Sequence, residues 1–556
     1  MKITKLNIEE DKSLYENYKS IYNLKDEEIN PTFKDLDDVY KIHHLKEIKE
    51  YIEKKERSNE LDKILLVGDY DVDGVTSSSL YYLFMKEKYN IEVEVYIPER
   101  EKDGYGLQKH IVEYAKEKGF KGIITVDNGI TAFEAVDYAN EVGIDIIITD
   151  HHQIQKEVPN ALYVLNPLTK ESTFREKHLA GVGVIFCLLF AIDKDVAMKF
   201  LPLVALGTIA DVMPMTNDNR IFVKKGLSLT PINKGLRYLY TLINEDAMII
   251  RTKFLELNTM DIGFTLAPLI NSAGRNNNAR LAFDLLIEDD IEEIEKKLKA
   301  MKILNEKRKE KQKEFEEYIL EKRELKEEVM GYMIEEREDY KFTGSIGGII
   351  ASKILNKTGK PTFILSLKEN EDGKKYYSGS GRSDEQFDIS IFISELKDKN
   401  LLLGGGGHSA AAGITIDFNK YDIVKKLFEE SCKKNIKNIN LDKEVFDIVK
   451  ITDDKKEIKK KLSNLLKDFN KLEPFGNNFP RPLIAYEMKK IEELKTIGKD
   501  KLHVKIKSGG IQILFFNKKE KDVPKEKELF IANVQMNEFK NQDGITISYL
   551  QLIANS

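Results

Sequence analysis

Cysteine is almost missing from this 556-residue chain, which carries only Cys187 and Cys432. Both fall in helix-like segments without metal-ligand spacing, so neither a disulfide scaffold nor a cysteine-built zinc cluster is expected. A reducing, cytoplasmic setting fits that usage. No apolar run approaches the roughly 18–20 residues that a bilayer span requires, which argues against a membrane protein. The opening MKITKLNIEEDKS has acids where a signal peptide would have its apolar stretch, so export is not expected. A basic excess is missing too, since 88 Lys and Arg face 94 Asp and Glu for a net charge of −6. Whole-chain charge of this kind bears on solubility, so a polyanionic ligand would have to be met by locally concentrated basic groups. Internal repeats and low-complexity tails are absent as well.

What is present suffices for several cores, with 41% hydrophobic residues in a length that suggests about three or four domains. Residues 1–60 read as a polar, helical, strand-free cap. From residue 61 to 287 short apolar runs (Ile64–Val67, Val93–Ile97, Gly122–Val126, Ile144–Ile148, Leu162–Leu165) alternate with helical stretches at Thr76–Tyr89, Gln108–Lys118 and Ala132–Val142. That alternation predicts a parallel sheet covered on both faces. Residues 288–328 lack Gly and Pro, and apolar positions recur from Leu298 to Leu320, which predicts one long charged connector helix. A second α/β segment spans 329–438. Within 439–556, β patterns at His503–Ile506, Ile511–Phe516, Leu529–Val534 and Ile545–Leu552 predict a small barrel.

The densest chemistry lies in GDYDVDG, residues 68–74. A short apolar strand runs straight into Asp69, Asp71 and Asp73, and Gly74 is read as a turn before a helix opening at Thr76–Ser79. Carboxylates packed this tightly repel one another, so a cation is the natural neutraliser. The pattern recurs where Ile123–Val126 ends in Asp127 and Ile146–Ile148 ends near Asp150, His151 and His152. Ligands in open parallel sheets bind just beyond such carboxyl ends. Leu201–Met215 reads as an apolar, buried helix whose one charge, Asp211, needs a cation or strong donors. Six aspartates with adjacent histidines suit two divalent ions; mixed carboxylate and imidazole ligation favours Mn²⁺ over Mg²⁺, which can serve where it is abundant, and the lack of cysteine ligands disfavours zinc. Two such ions about 3.5–4 Å apart are the usual equipment for phosphoester hydrolysis. Elsewhere, LLLGGGGHSAAAG (401–413) offers glycines whose N–H groups could approach a phosphate, with a helix start after them.

GDYDVDG, VDNGI, TDHH and ALGTIADVMP resemble, in order, the four motifs of the DHH phosphoesterase superfamily. The resemblance implies metal ligation by Asp69, Asp71, Asp73, Asp127, His151 and Asp211. It also implies that His152 faces the scissile phosphate while Asp150 orients the histidines. Some members begin the first motif with a histidine; Val67 stands there instead, as in the RecJ branch. GGGGHSAAAG is similar to the DHH-associated domain, which implies phosphate contact by Gly406, Gly407 and His408. IPERxxDGYGL (97–107) and SGSGRS (378–383) imply a 5′-phosphate pocket of Arg100, Ser380 and Arg382, the latter two on a strand edge, with Tyr105 blocking passage beyond. INSAGR (270–275) implies a DNA-backbone contact by Arg275. LEPFGNNFPRP (472–482) is similar to the RecJ turn leading into an OB-like barrel, although Asn478 and Phe479 replace an expected Gly and Asn.

The implied whole is an α/β protein: a DHH parallel-sheet catalytic domain, a connector helix, a DHH-associated α/β domain and a C-terminal OB-like β-barrel, with the site in a cleft between the two α/β domains. The implied activity is 5′→3′ exonucleolytic hydrolysis of single-stranded DNA to 5′-mononucleotides with Mn²⁺ or Mg²⁺, in DNA repair and recombination. A single-strand-binding protein and a helicase are the implied partners, and a cytoplasmic monomer the implied state. A short-oligonucleotide phosphodiesterase and a non-cleaving DNA-binding scaffold are the rival readings.

Overall fold

The computed structural model describes residues 3–6, 9, 11–99, 102–154, 157–246, 257–322, 329–336, 346–370, 372–384, 386–407, 409–436, 443–449, 455–497, 503–516, 518–540 and 546–554. Arg100 and His408, both expected as phosphate contacts, lie outside them. The described residues fall into two compact units, 303–443 and 3–302 with 444–556.

In the larger unit, five parallel strands lie in the order Val95–Tyr96, Ile64–Val67, Gly122–Val126, Asp145–Thr149, Tyr163–Leu165. Both faces of the central strands are buried, which is why they read as unbroken apolar runs. Helices Lys109–Lys118 and Phe133–Val142 cover one face through Ile111, Val112, Val136 and Ala139. Helix Val72–Tyr89 packs against Gly181–Ile192 and Leu201–Ala210, both almost wholly apolar. The cap helix Leu45–Arg57 buries Leu45, Ile48 and Ile52, the spacing of one helical stripe.

Several local readings change. The helix after GDYDVDG opens at Val72, not Thr76, so Gly74 sits in its first turn rather than before it. A Cβ there would lie 2.6 Å from Asp69, so glycine serves close approach. The helix expected to run from Leu201 to Met215 stops at Ala210, because Pro214 cannot continue it and the chain turns at Val212. Asp211 is therefore a helix C-cap with its side chain 29% exposed, not a fully buried mid-helix acid. The cap is not strand-free, since Ile3–Lys5 pairs with Lys443–Val445, a partner too distant in sequence for local pattern to reveal.

In the smaller unit the sheet order is Gly404–Gly407, Ala411–Asp417, Lys375–Arg382, Thr362–Glu369, Tyr332–Glu335. The glycine run is a strand and leads into another strand, not into a helix, so the expected helix dipole is not there. Alternation explains it: Ala412, Ile414 and Ile416 point into the core. Lys375–Arg382 is an inner strand, so Ser380 and Arg382 are not on an edge. The connector helix spans Ile291–Lys322, and the division between units falls within it.

The C-terminal domain is one seven-stranded sheet, antiparallel except at two pairings. It is fastened to the parallel-sheet domain by Arg220, whose guanidinium is fully buried. Arg220 donates to the carbonyls of Ile29 (2.9 Å), Leu472 (2.8 Å) and Pro474 (2.5 Å), and lies 3.9 Å from the Phe479 ring centroid. Among the described residues no helix is long and apolar enough to cross a membrane.

Candidate metal centre

Each carboxyl end of three neighbouring strands delivers an acid to one place. Ile64–Val67 leads to Asp69, Gly122–Val126 to Asp127, and Asp145–Thr149 to Asp150. Helix Val72–Tyr89 begins there, with Asp71 as its N-cap accepting from the Gly74 N–H at 3.1 Å. Asp73, in the first turn, accepts from the Gly181 and Val182 N–H groups at 2.6 and 2.9 Å. Those are the first free donors of helix Gly181–Ile192, a favourable place for a carboxylate.

Two close approaches make this possible. A Cβ on Gly181 would stand 2.6 Å from that of Asp127, and one on Gly207 would stand 3.0 Å from an Asp73 oxygen. Only glycine lets these helices reach the acids. Asn128 ties neighbouring strands, donating to the Val67 and Val126 carbonyls at 3.1 and 2.9 Å and accepting from the Leu107 N–H at 3.1 Å. Asp127 itself is in the left-handed region at φ 63, a conformation that Asp tolerates better than most residues.

The donors form three overlapping groups, each with ligand atoms within 4.8 Å: Asp69, Asp71 and Asp127; Asp73, His151 and Asp211; Asp127, His151 and His152. His151 Nε2 lies 3.1 Å from Asp127, 3.6 Å from Asp211 and 3.7 Å from Asp73. Asp150, almost fully buried, accepts from the Ile130, His151 and His152 N–H groups. It also holds His152 Nδ1 at 2.7 Å, which fixes the ring. The Tyr105 hydroxyl lies 3.3 Å from His152 Nε2 and 3.5 Å from the Asp127 carbonyl oxygen.

Electrostatics divide these groups in two. Burial and then the Asp71 charge push the Asp73 carboxyl up to about 7. Burial and neighbouring acids likewise hold Asp69, Asp127 and the partly exposed Asp211 well above the usual carboxylate range. Asp150 goes the other way: burial opposes its charge, but His152 outweighs it and lowers the carboxyl to about 2. His152 is held protonated up to about 10, since Asp150 outweighs the cost of its burial. Asp69 Oδ1, Asp127 Oδ1 and Asp211 Oδ2 are buried without a hydrogen bond. Crowded carboxylates with orphaned oxygens and one shared imidazole fit a pair of hard divalent cations such as Mn²⁺ or Mg²⁺.

The remaining candidates are placed as follows. Arg275 ends helix Ala267–Arg275, whose Gly274 abuts the Tyr70 carbonyl between Asp69 and Asp71. In the smaller unit, strand register sets Gly406, Gly413 and Ser380 in one row across the sheet. Arg382, two residues on, donates to the Gly381 carbonyl, and its guanidinium lies against Gly348 in the first turn of helix Gly347–Thr358. Burial lowers its pKa, and no carboxylate pairs with it among the described residues. Sequence reasoning missed Gly181, Val182, Gly207 and Asn128. Asn128 and Gly207 stood inside the motifs VDNGI and ALGTIADVMP, Gly181 in none, and backbone donors have no side-chain signature.

Models for the DHH family, N-terminal domain, the DHHA1 domain and the RecJ OB domain match residues 63–208, 329–434 and 452–549. The single-stranded-DNA-specific exonuclease RecJ of Bacillus subtilis is 32% identical over 515 residues, covering 91% of this chain and 63% of that relative. Its namesake from Escherichia coli is 30% identical over 473 residues, covering 81% of this chain and 78% of the relative. Among solved structures, RecJ in complex with Mn²⁺ from Thermus thermophilus matches with a TM-score of 0.76 at 23% identity, over 99% of this chain and 78% of that one. An exonuclease RecJ bound to manganese matches with a TM-score of 0.57 at 28% identity, over 71% of this chain and 95% of that one.

Proposed function

The chain belongs to the RecJ family of DHH-type single-stranded-DNA-specific exonucleases, and from that membership we propose that it hydrolyses single-stranded DNA from the 5′ end, releasing 5′-mononucleotides. The observation that carries the proposal is the convergence of Asp69, Asp71, Asp73, Asp127, His151 and Asp211 at the carboxyl ends of parallel strands, in overlapping groups no wider than 4.8 Å. Those six residues would hold two Mn²⁺ or Mg²⁺ ions, whose charge would neutralise the carboxylates, polarise the phosphate and make water a better nucleophile.

The chain's own residues do the rest. Asp73, fixed by two helix N–H groups, and Asp127, fixed by its left-handed backbone, present their oxygens without rearrangement. Asp150 anchors His152 by its Nδ1 and leaves Nε2 to donate to a phosphate oxygen. Tyr105 stands against that same ring and limits what lies beyond it. Ser380, Arg382, Arg100, Arg275, Gly406, Gly407 and His408 contact substrate phosphates, and Arg382 is suited to a bidentate grip. The RecJ OB domain supplies further single-strand binding. A cytoplasmic monomer working with a helicase and a single-strand-binding protein completes the reading.

A long single strand, its duplex and a dinucleotide, each incubated with Mn²⁺ and wild-type protein or Asp71→Ala, test the reading. The expected result is stepwise loss of the long strand from its 5′ end, with the duplex spared and the variant inactive. An intact long strand beside a cleaved dinucleotide refutes the exonuclease reading in favour of a short-oligonucleotide phosphodiesterase. Cleavage by Asp71→Ala at the wild-type rate refutes the metal centre.

A further inference from the structure

Asp211 stands on an awkward piece of backbone. Its helix ends at Ala210, and the next residue, Val212, is β-branched yet sits at φ 56. Left-handed backbone is strained for such a side chain, and with 65% of Val212 exposed no packing compensates. Within its own domain the turn is held by three bonds, from the Asp211 N–H to the Gly207 carbonyl (2.9 Å), from the Val212 N–H to the Ile209 carbonyl (3.1 Å) and from the Met213 N–H to the Thr208 carbonyl (3.2 Å).

The other restraints come from the C-terminal domain, through the turn after Pro474. The Asn477 side-chain amide donates to the Val212 carbonyl at 3.1 Å, and the Asn477 carbonyl accepts from the Met215 N–H at 2.7 Å. Gly476 abuts Met215 so closely that a Cβ would stand 3.0 Å from that side chain. The turn is itself stiff: Gly476 and Phe479 exchange backbone bonds of 2.9 and 3.1 Å, and Asn478 takes the left-handed conformation at φ 57. Arg220 then pins it from below through Phe479 and the Pro474 carbonyl.

We infer that Asn477 is a positioning residue that, from the C-terminal domain, holds the strained Val212 turn and so fixes Asp211 for divalent-cation binding. The inference rests on the reading of Asp211 as a cation ligand. It gives the C-terminal domain a second role besides strand binding, because loosening its turn frees the Asp211 backbone and lowers cation affinity at a distance from any DNA contact.

Mn²⁺ binding by calorimetry on full-length protein without DNA tests this, for wild type, Asn477→Ala, Asn477→Asp, Asp211→Ala and Asn477→Ala combined with Val212→Gly. Asn477→Ala and the isosteric Asn477→Asp both lose the donor and are expected to bind Mn²⁺ ~10-fold more weakly, the lower end for groups that orient a ligand. With DNA, kcat falls while KM for the strand holds. Val212→Gly, which accepts positive φ without strain, is expected to restore most of the affinity to Asn477→Ala. Wild-type affinity in both Asn477 variants, or no recovery in the double variant, overturns the inference. If Asp211→Ala also binds Mn²⁺ like wild type, the ligand assignment fails instead. Should Asn477→Ala unfold, Asn477→Asp decides alone.

Discussion

Asp127→Asn should make the protein more stable in chelator and abolish its response to Mn²⁺. Asp127 is 1% exposed and its carboxylate accepts no backbone hydrogen bond among the described residues, and an isosteric amide oxygen can still face His151 Nε2, 3.1 Å away, so the amide forfeits little. Asparagine also adopts the left-handed region readily, which suits φ 63 at this position. What disappears is repulsion. Asp69 and Asp71 hold ligand atoms within 4.8 Å of those of Asp127. At that separation each pair of full charges repels by about 3–4 kcal/mol at an effective dielectric near 20. Proton uptake by the wild-type cluster relieves part of this, leaving a gain of about 2–4 kcal/mol at pH 8. For a chain of this size that raises the unfolding midpoint by about 2–3 °C. Thermal unfolding in EDTA at pH 8 measures it, and a Mn²⁺ titration measures the second half. Wild type should gain stability with Mn²⁺ and the variant should not, with cleavage falling at least ~100-fold. A variant less stable than wild type in EDTA, or one that keeps the full Mn²⁺ response, would refute the reasoning.

Metal-free His152 should stay protonated well past neutrality, because Asp150 raises it to about 10. The stability contributed by that proton is complete below about 6.5, the unfolded value, and is lost as pH rises through about 10. Imidazole NMR in EDTA should show the late titration, with Asp150→Asn bringing it back toward neutrality; a wild-type midpoint near 6.5 counts against the pairing. Gly181→Ala should weaken Mn²⁺ binding more than it lowers stability, because the methyl would meet Asp127 at 2.6 Å; calorimetry beside thermal unfolding separates the two. Arg220→Met should destabilise by about 3–5 kcal/mol, since it strips buried carbonyls of their donor. Urea unfolding checks this, and a change below about 1 kcal/mol would show the guanidinium to be dispensable.

The parallel sheet and its acids were legible because both signals are local. An apolar run of four or five residues ending in Asp is written in consecutive letters at Ile64–Asp69 and Gly122–Asp127. Where local pattern met long-range pairing it failed. The glycines at 404–407 read as a phosphate loop before a helix, but pairing with Ala411–Asp417 makes them a strand. Ser380 and Arg382 looked like edge residues until strands were found on both sides of theirs.

The sequence by itself determined which groups were candidates for the site, the aspartates and the paired histidines, and the order of domains around them. Those depend on residue type and spacing, which a chain displays without folding. Only the tertiary structure decided how the acids are held. Asp73 is fixed by N–H groups from residues 181 and 182, Asp211 by a turn whose brace comes from residue 477, and both need glycine where no Cβ fits. Backbone donors and missing methyl groups acquire meaning only when distant segments meet, so no reading of neighbouring letters could supply them.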